Sequence, residues 1–507
     1  MSNNNKSQEQ YLLETEQPLS EPLQLKLEQI KKLKQKGEIL YSNDFRPSAV
    51  IGDLKEQYSG LEQGEKTEEE FQVAGRITGF RKHGKATFAD IKDSRDKLQL
   101  YLSLKVVGDE GYEKFNQLDI GDWIGVSGHL FKTRTGELSL NVNQFKLLSK
   151  SIRILPEKWH GLKDKELRYR QRYLDFLVNP EVKEVFVKRI RIIEKIREFL
   201  NNKGFLEVET PMLQTIPGGA TARPFVTHHN ALDIDLYLRI APELYLKRLI
   251  VGGFEKVYEI NRNFRNEGIS YKHNPEFTML EFYQVFSNYR ELAALTENLI
   301  KFVASEALRS LEISYRGKDI SLDGEWKKIS MIDAISEIGN IEVSFDMDRD
   351  QLAKIAEKQG QEVPSFFGKG KIINLIFEAV VEPRLVQPTF IMDFPIEISP
   401  LAKKHPGNPE LVERFELFIG GEEIANAFTE LTDPAEQLSR FLKQARSSDE
   451  EERLGGKVDK DFIKALEYGM PPTGGEGIGI DRLAMVLTGS ESIKDVLLFP
   501  LMKPESE

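Results

Sequence analysis

The stretch FRNEGISYKHNPEFTMLEFY, residues 264–283, holds fixed charges among aromatic and apolar side chains. Its second half alternates with a period of two, which predicts a β-strand whose two faces differ. The run before it, VYEINRNFR, predicts a second strand that ends at Arg265, and the loop between them would carry Glu267 and His273. One face of the later strand would carry Phe277, Met279, Glu281 and Tyr283.

The composition limits the class of protein. The chain has 507 residues, of which 40% are hydrophobic and 30% charged, enough for about two to four domains. No apolar run reaches the roughly 18 to 20 residues that a membrane helix needs, and the polar start, MSNNNKSQEQ, does not have the pattern of a secretory signal. The absence of cysteine excludes disulfides and fits a reducing cytosol, so we expect a cytoplasmic protein without a membrane partner.

The pattern along the chain predicts an α+β protein with several parts. An N-terminal β-barrel of the OB type is expected before a larger domain that mixes sheet and helix. The predicted regions are a disordered tail (1–20), a helical extension (21–70), the OB-type barrel (71–150), a charged linker (151–180) and the large domain (181–507), with a helical insertion at about 288–387.

The barrel region differs in charge from the rest of the chain. The chain carries a net charge of −11, which argues weakly against nucleic-acid binding, but residues 71–150 contain 13 Lys and Arg against 9 Asp and Glu. Barrels of this type bind single-stranded nucleic acid on a face with aromatic and basic side chains. Phe88, flanked by Lys85 and Lys92, suits such a face. The alternative is that Phe88 belongs to the barrel core, and the pattern alone favours the core.

The large domain is expected to begin with a long helix and a strand. The helix would end near Gly204, a suitable C-cap. The run FLEVETP, residues 205–211, predicts a strand that ends at its proline. The apolar face of the helix would consist of Phe186, Ile190, Ile193, Ile196 and Leu200.

Further carboxylates lie in the large domain. Glu243 stands at a predicted helix start. Glu416, Glu423 and Glu430 recur at intervals of seven, but the glycines at 420–421 favour a β-hairpin over a helix. Converging carboxylates repel each other unless they bind cations, either Mg²⁺ or an ammonium substrate. For the charged strand face of the opening stretch, a solvated surface remains an equal alternative.

The segment GIGIDRLAMVLTG, residues 477–489, predicts a glycine-rich entry into a helix with Arg482 in its first turn. A cation there opposes the helix dipole, which favours a functional role over a stabilising one. The overlapping run GGEGIGID lacks the G-x-G-x-x-G spacing and has no βαβ unit after it. A dinucleotide-binding site is therefore rejected.

These motifs resemble those of class II aminoacyl-tRNA synthetases, and within them the lysyl-tRNA synthetase family. FLEVETPML is similar to the first motif of the class, FRNEG with HNPEFTMLEFY to the second, and GIGIDR to the third. The lysine subtype rests on PGGATARPF, RIAPELYLKRL, SPLAK and NAFTEL, and the likeness covers about residues 71–503. Ala425 and Ala427 stand where other members have glycine.

The resemblance implies an enzyme that activates L-lysine with ATP and Mg²⁺ and transfers it to tRNA(Lys). It also implies an OB-fold anticodon domain, an antiparallel catalytic sheet flanked by helices, and a homodimer assembled through the first motif. An enzyme for aspartate or asparagine is the nearest alternative, but Glu430 and Tyr283 suit an ammonium group. A non-catalytic, RNA-binding relative is the alternative from another class, and it would have lost arginines and glutamates that this chain keeps.

The resemblance assigns roles to residues of this sequence, with Arg265 and Arg482 as the catalytic residues. The implied ATP site consists of Arg265, Glu267, His273, Asn274, Phe277, Glu416, Glu423 and Arg482, of which Glu416 and Glu423 also bind Mg²⁺. The implied lysine site consists of Gly219, Glu243, Arg265, Glu281, Tyr283, Asn426 and Glu430. The implied anticodon readers are Phe88, Gln99 and Glu137.

Overall fold

The computed structural model describes residues 20–153, 162–446 and 458–504. The tail predicted at 1–20 lies outside the described residues except for its last position, and so does the middle of the predicted linker. The chain divides into two compact units, Met1–Gly161 and Leu162–Glu507. Within the described ranges, no helix combines the length and the apolar character that crossing a membrane requires.

The first unit is built around a closed barrel with the strand order β1-β2-β3-β5-β4. All pairings are antiparallel except that of β3 with β5. The OB-type barrel is confirmed, whereas the helix between β3 and β4 was not predicted. The elements are α1 (Glu21–Gln35), α2 (Ile51–Gln57), β1 (Lys66–His83), β2 (Ala86–Lys92), β3 (Lys97–Ser103), α3 (Leu104–Asn116), β4 (Trp123–Lys132) and β5 (Leu138–Ser149).

The alternation of buried and less buried residues along β2 shows whether Phe88 points into the barrel core. Its neighbours Thr87 and Ala89 are buried (0% and 1% exposed), whereas Phe88 is only half-buried. Its ring centroid lies 5.1 Å from that of Tyr101 and 6.0 Å from that of His83. The interpretation of Phe88 as a core residue is therefore wrong, because successive strand residues face opposite sides.

The second unit begins inside the predicted linker. Two short helices, α4 (Lys165–Arg170) and α5 (Arg172–Val178), follow Gly161. Arg172 is 1% exposed and donates to the carboxylate of Asp175 (2.9 Å) and to the carbonyl of Lys494 (2.7 Å). Through these contacts the two helices pack against the rest of the second unit. The linker predicted at 151–180 therefore ends before residue 180, since the second unit begins at Leu162.

The long helix α6 (Pro180–Asn202) buries a different stripe from the predicted one. Ile190 is 64% exposed because it lies about 100° around the helix from the buried Arg189. The strand predicted for FLEVETP shrinks to β6 (Leu206–Glu207), which pairs in parallel with Val257 and Tyr258. The buried residues of α6 are Val182, Phe186, Arg189, Ile192, Ile196, Phe199 and Leu200.

A nine-stranded sheet organises the second unit, in the order β14-β15-β17-β18-β19-β11-β10-β6, with β16 paired to β17. Its neighbours run antiparallel except at the two edges, where β6 and β14 are parallel to the strands beside them. The α+β fold is confirmed, with a mixed rather than purely antiparallel sheet. The remaining strands are β10 (Lys256–Phe264), β11 (Glu276–Val285), β14 (Lys327–Ser330), β15 (Thr389–Pro395), β16 (Lys404–His405), β17 (Asn408–Ile419), β18 (Glu422–Thr429) and β19 (Thr473–Gly479).

Smaller elements surround this sheet. One small sheet consists of β7 (Leu213–Gln214), β8 (Val226–His229) and β9 (Ile234–Leu238), and a hairpin consists of β12 (Glu312–Tyr315) and β13 (Lys318–Ser321). The helices are α7 (Glu243–Val251), α8 (Tyr289–Val303), α9 (Met331–Glu337), α10 (Arg349–Lys358), α11 (Lys369–Val380), α12 (Pro434–Ala445), α13 (Lys460–Glu467), α14 (Ile480–Thr488) and α15 (Ile493–Val496).

The region predicted as a helical insertion, about 288–387, is mixed in structure. It contains α8 to α11 but also β12, β13 and β14. Buried residues of α8, such as Leu292 and Leu299, belong to the same core cluster as the strand residues Phe282 and Phe415. The region is therefore built into the domain, because α8 packs in its main core and β14 extends its sheet.

The strands that carry the predicted site follow the sequence pattern closely. β17 and β18 form the expected hairpin, with Gly420 and Gly421 in the turn at φ +69° and +80°. β10 and β11 pair over their whole length, with Asn263 opposite Phe277. The predicted strand–loop–strand unit of the opening stretch is confirmed.

Candidate active site

Residues of β11, β18 and β19 line two adjoining cavities. The first has a volume of about 310 Å³ and the second about 210 Å³. Arg265, Met279, Asn426 and Gly477 line both, so these four residues form the boundary between them.

The structure brings most of the predicted site residues to these cavities. Glu416 and Glu430 line neither of them: Glu416 is paired with Asn426 across β17 and β18, and Glu430 lies against Gly475 and Tyr283 at the wall of the first cavity. The predicted lysine-site residues that line the first cavity are Gly219, Glu243, Arg265, Glu281, Tyr283 and Asn426. The predicted ATP-site residues that line the second are Arg265, Glu267, His273, Asn274, Phe277, Glu423 and Arg482.

The first cavity gathers carboxylates from separate elements. Glu243 is the first residue of α7, Glu281 lies in β11, and Glu430 follows β18 directly. All three are at least nine-tenths buried. Lys247, on α7, forms ion pairs with Glu243 (Nζ to Oε1, 2.6 Å) and with Glu430. The hydroxyl of Tyr283 donates to Oε2 of Glu281 at 3.3 Å.

Burial dominates the electrostatics of the first cavity. It raises the pKa of Glu281 well above its usual range, and the charges of Glu243 and Glu259 raise this pKa further. Burial also raises the pKa of Glu430, although Lys247 acts to lower it. A carboxylate with a raised pKa gains when a cation arrives, so the cavity favours a ligand with ammonium groups.

Glycines shape the walls of the first cavity. A Cβ on Gly475 would overlap Oε1 of Glu430 and the ring of Tyr283. A Cβ on Gly219, which has φ +86°, would lie 3.1 Å from the Cβ of Glu243. The backbone can approach these side chains closely only because both positions lack a side chain.

The second cavity is organised by Arg482, in the first turn of α14. Its Nη1 donates to the carbonyl and to Oε2 of Glu423, both at 3.0 Å, and its Nη2 lies 3.4 Å from Nε2 of His273. Burial, with Arg482 and Lys272 nearby, lowers the pKa of His273. The imidazole is therefore neutral, and its Nε2 accepts from the guanidinium because arginine has no acceptor.

An aromatic surface and unpaired polar atoms complete the second cavity. The guanidinium of Arg265 lies over the ring of Phe277, 5.1 Å from its centroid. Asn274 donates to the carbonyl of Glu276 at 2.6 Å, but its Oδ1 is buried without a hydrogen-bond partner among the described residues, as is Nε of Arg265. A flat ring beside buried donors and acceptors suits a polar aromatic ligand such as a nucleotide.

Comparison with known proteins agrees with this geometry. The family model of class II tRNA synthetases (D, K and N) matches residues 164–503. The chain belongs to the class II tRNA synthetases. A second family model, the OB-fold nucleic acid binding domain, matches residues 71–148.

Relatives of this class II synthetase are similar over almost their whole length. The lysine–tRNA ligase of Pelotomaculum thermopropionicum is 55% identical, covering 96% of this chain and 96% of the relative. That of Carboxydothermus hydrogenoformans is 54% identical, covering 96% and 99%. That of Clostridium perfringens is 47% identical, covering 97% and 98%.

Two carboxylates of the synthetase fit a magnesium ion bound together with phosphates. Burial raises the pKa of Glu416 to about 8, and the charge of Glu423 raises it against the opposing effect of Arg414. Among the described residues, no group of three or more histidine or carboxylate side chains is arranged to hold a metal by itself. Mg²⁺ is commonly held by one or two carboxylates plus substrate phosphates, so Glu416 and Glu423 are the residues that could hold it.

In the barrel of the synthetase, the three predicted anticodon-binding residues lie near one another. Gln99 on β3 accepts from the hydroxyl of Ser139 at 3.0 Å, and Ser139 also donates to the carbonyl of Glu137 at 3.4 Å. Tyr101, two residues along β3 from Gln99, contacts Phe88. Glu137 is exposed and stands just before β5.

Sequence reasoning missed two basic residues of the site. Lys247 could have been found, because it follows Glu243 by four residues in a predicted helix, the spacing of a helical ion pair. Arg414 donates to Oδ1 of Asn426 (3.0 Å) and to the hydroxyl of Ser399 (2.8 Å), and it pairs with Glu416. The local sequence around Arg414 carries no comparable signal, since two of these partners lie on other segments.

Proposed function

We propose that this chain is a lysine–tRNA ligase: it activates L-lysine with ATP to lysyl-adenylate and transfers the lysyl group to tRNA(Lys), releasing AMP and pyrophosphate. The observation that carries the proposal is the position of Arg265, in the boundary between a carboxylate-rich cavity and a cavity with an arginine and an aromatic ring. Lysine occupies the first cavity and ATP the second, so their reacting ends meet at Arg265.

The lysine assignment follows the charges of the first cavity. Glu243 binds the α-ammonium beside Gly219. Glu430 and Tyr283 bind the ε-ammonium, assisted by Glu281 and Asn426. Buried carboxylates reject apolar side chains, since an apolar side chain would leave them unpaired. An aspartate or asparagine substrate would add a carboxylate or a neutral amide to a cavity that already has excess negative charge.

The ATP assignment uses the residues of the second cavity. The adenine ring stacks between Phe277 and Arg482, and Glu267 accepts a hydrogen bond from its amino group. His273 and Asn274 contact the phosphate and ribose side of the nucleotide.

The reaction needs no general base in its first step, because the lysine carboxylate is already ionised at neutral pH. The carboxylate attacks the α-phosphorus in line, and pyrophosphate leaves. Arg265 contacts the α-phosphate and the lysine carboxylate together, and Arg482 stabilises charge on the nucleotide. Catalysis is positioning plus charge neutralisation.

Glu416 and Glu423 are the residues that would hold Mg²⁺. The ion, when bound, supplies additional positive charge to the phosphates. The raised pKa of Glu416 supports this role, since a buried carboxylate beside another one gains from a cation.

The barrel binds the anticodon. Phe88 stacks on a base, and Gln99 and Glu137 hydrogen-bond to its edge. The net basic character of residues 71–150 supports contact with RNA.

A homodimer through the first motif is supported by exposed apolar side chains. Exposed apolar residues of this number within 27 positions of the chain suit an interface. The exposed residues are Val187, Ile190, Leu206, Met212 and Leu213. Sedimentation of the wild type should give twice the chain mass, and Ile190→Glu should shift the measured mass toward that of the monomer.

We also propose a cytoplasmic location, consistent with the lack of cysteine.

ATP–pyrophosphate exchange with each of the twenty amino acids, without tRNA, tests the proposal. Exchange with lysine alone is the expected result. Exchange with aspartate or asparagine would contradict the orientation of the first cavity. Exchange with no amino acid, with or without tRNA, from folded protein would contradict an enzymatic function.

A further inference from the structure

Lys247 joins two carboxylates that belong to different elements. It is 0% exposed and stands one helical turn after Glu243 on α7. Its Nζ also pairs with Oε2 of Glu430, which follows β18. The ring of Phe428 lies 5.4 Å from the same nitrogen. The ammonium of Lys247 is therefore a cross-link between α7 and the end of β18.

This cross-link leaves hydrogen-bonding capacity on Glu430 for another partner. Lys247 pairs with Oε1 of Glu243 and Oε2 of Glu430. The other oxygen of Glu430, Oε1, is buried and has no hydrogen-bond partner in the part of the chain that the structure describes. It points toward Gly475 and Tyr283, at the wall of the first cavity. A buried acceptor of this kind costs free energy, and a ligand that supplies a donor removes this cost.

Lys247 keeps its charge between its two partners. Its ammonium contacts the carboxylates of Glu243 and Glu430. Burial acts to lower the pKa of Lys247, but Glu243 and Glu430 raise it above its usual value, so this cation persists. The two carboxylates are therefore held by a lasting positive charge.

We propose that Lys247 is a positioning residue that fixes the separation between Glu243 and Glu430, and that it thereby selects a diamino acid with the chain length of lysine. The proposal rests on the assignment of these two glutamates to the α- and ε-ammonium groups under the proposed function. Because one ammonium contacts both carboxylates and fixes their relative position, a diamino acid of another length, such as ornithine, should meet them in a poorer geometry than lysine.

The test compares lysine and ornithine in ATP–pyrophosphate exchange with the full-length chain. Lys247→Met keeps the shape of the side chain and removes its charge. We expect the KM for lysine to rise about 100-fold, because one partner of a buried ion-pair cluster is lost. The KM for ATP and the kcat at saturating lysine should stay within a few-fold, and the preference for lysine over ornithine should fall about 10-fold.

The barrel offers a matched control. Lys150 is also fully buried between two carboxylates, Asp119 and Asp122, at 2.6 Å and 2.8 Å. Lys150→Met should lower stability and leave the lysine and ornithine parameters of the exchange reaction unchanged. A second variant, Lys247→Arg, keeps the charge but replaces the point charge with a longer, planar group. It should change the lysine-to-ornithine ratio with a smaller rise in the KM for lysine.

An unchanged lysine-to-ornithine ratio in either folded Lys247 variant would overturn the proposal. An equal loss of ATP and lysine affinity would also overturn it, since general damage to the unit predicts that result. Glu430→Gln separates this failure from failure of the proposed function. If Glu430→Gln impairs lysine use and Lys247→Met does not, only the role of Lys247 is wrong. If neither variant affects lysine use, the assignment of the cavity is wrong.

Discussion

Two buried lysines, one in each compact unit, bridge pairs of carboxylates in different ways. In the barrel, Lys150 contacts Asp119 and Asp122 and also donates to the carbonyl of Gln117 at 3.1 Å. Asp122 accepts backbone N–H bonds on both oxygens, from Asp119 and Ser151, each at 2.7 Å. In the second unit, Lys247 makes a similar bridge, but Oε1 of Glu430 has no hydrogen-bond partner within the described ranges.

The difference is what we expect between a cluster that stabilises the fold and, under the proposed function, one that binds the substrate. In the barrel, burial acts to raise the pKa of Asp119, but hydrogen bonds from Lys150 and Lys26 lower it below its usual value. In the second unit, the effect of burial exceeds the opposing effect of Lys247, and the pKa of Glu430 is raised. A charge cluster that is complete within the chain stabilises the fold, whereas an incomplete one is completed by a ligand.

Loss of Arg265 should have the largest effect. Arg265→Ala removes the cation in the boundary between the two cavities, and exchange with lysine should fall at least about 1,000-fold. The control is Arg262→Ala, in the neighbouring strand β10, where the arginine faces the exposed Glu276 at 3.7 Å. This control should keep activity within about two-fold. Comparable losses in both variants would indicate damage to the strand rather than loss of a catalytic group.

Substitution of one acidic residue in each of the two lysine clusters should have different effects on activity and on thermal stability. Glu430→Gln should lower kcat/KM for lysine about 100-fold and lower Tm less than Asp122→Asn does, since Lys247 keeps its pair with Glu243 whereas Asp122 also accepts backbone hydrogen bonds on both oxygens. Asp122→Asn should lower Tm by a few degrees or more and leave exchange unchanged. The measurements are exchange kinetics and thermal unfolding of both variants. A fall in Tm for Glu430→Gln as large as that for Asp122→Asn would remove the distinction between the clusters.

The surface of the barrel should matter only when tRNA is present. Phe88→Ala removes a stacking ring, so the KM for tRNA in aminoacylation should rise about 10- to 100-fold. Exchange without tRNA should stay unchanged. Phe366→Ala, at an exposed phenylalanine of the other unit (48% exposed), serves as the control and should alter neither reaction. An unchanged KM for tRNA in Phe88→Ala would contradict the role of Phe88 in binding the anticodon.

The smallest expected effect concerns Glu476 on β19, a buried acid whose only hydrogen-bond partner among the described residues is Thr296, at 2.6 Å. Burial raises its pKa well above the usual range, against the opposing effect of Thr296. Because the folded-state pKa exceeds the unfolded one, folding takes up a proton, and stability falls as pH rises above the unfolded pKa of about 4.3.

Glu476→Gln removes this titration. The Tm of the variant should equal or exceed that of the wild type, and the difference should widen from about pH 5 to about pH 9. The exposed Glu306 provides the control, since Glu306→Gln should show no such widening. A constant or shrinking difference for Glu476→Gln would contradict a raised folded-state pKa.

Local patterns were sufficient for most of the fold. Alternation gave the two faces of β11, and the glycines at 420–421 gave the hairpin of β17 and β18, because strand faces and tight turns depend on adjacent residues. The buried stripe of α6 was partly wrong, because the local spacing does not show that Arg189, which pairs with Asp481 at 2.7 Å, faces the packed side instead of Ile190.

The site was only partly accessible to sequence reasoning. The motifs pointed to Arg265 and Arg482 by their residue types and by resemblance. Lys247 and Arg414 were missed because their partners come from segments that the fold brings together, including Glu430 and Ser399. The core interpretation of Phe88 failed because apolar alternation does not say which face of a barrel strand points inward.

Gly475 has a consequence for attempts to broaden the amino-acid range of this enzyme. The wall that it forms is bare backbone, so any replacement there adds atoms against Glu430 and Tyr283 and shrinks the cavity. Directed evolution toward bulkier or modified amino acids therefore cannot gain room at this position. A library that leaves Gly475 fixed and varies Met279 and Phe428, which line the same cavity, tests where new space can be made.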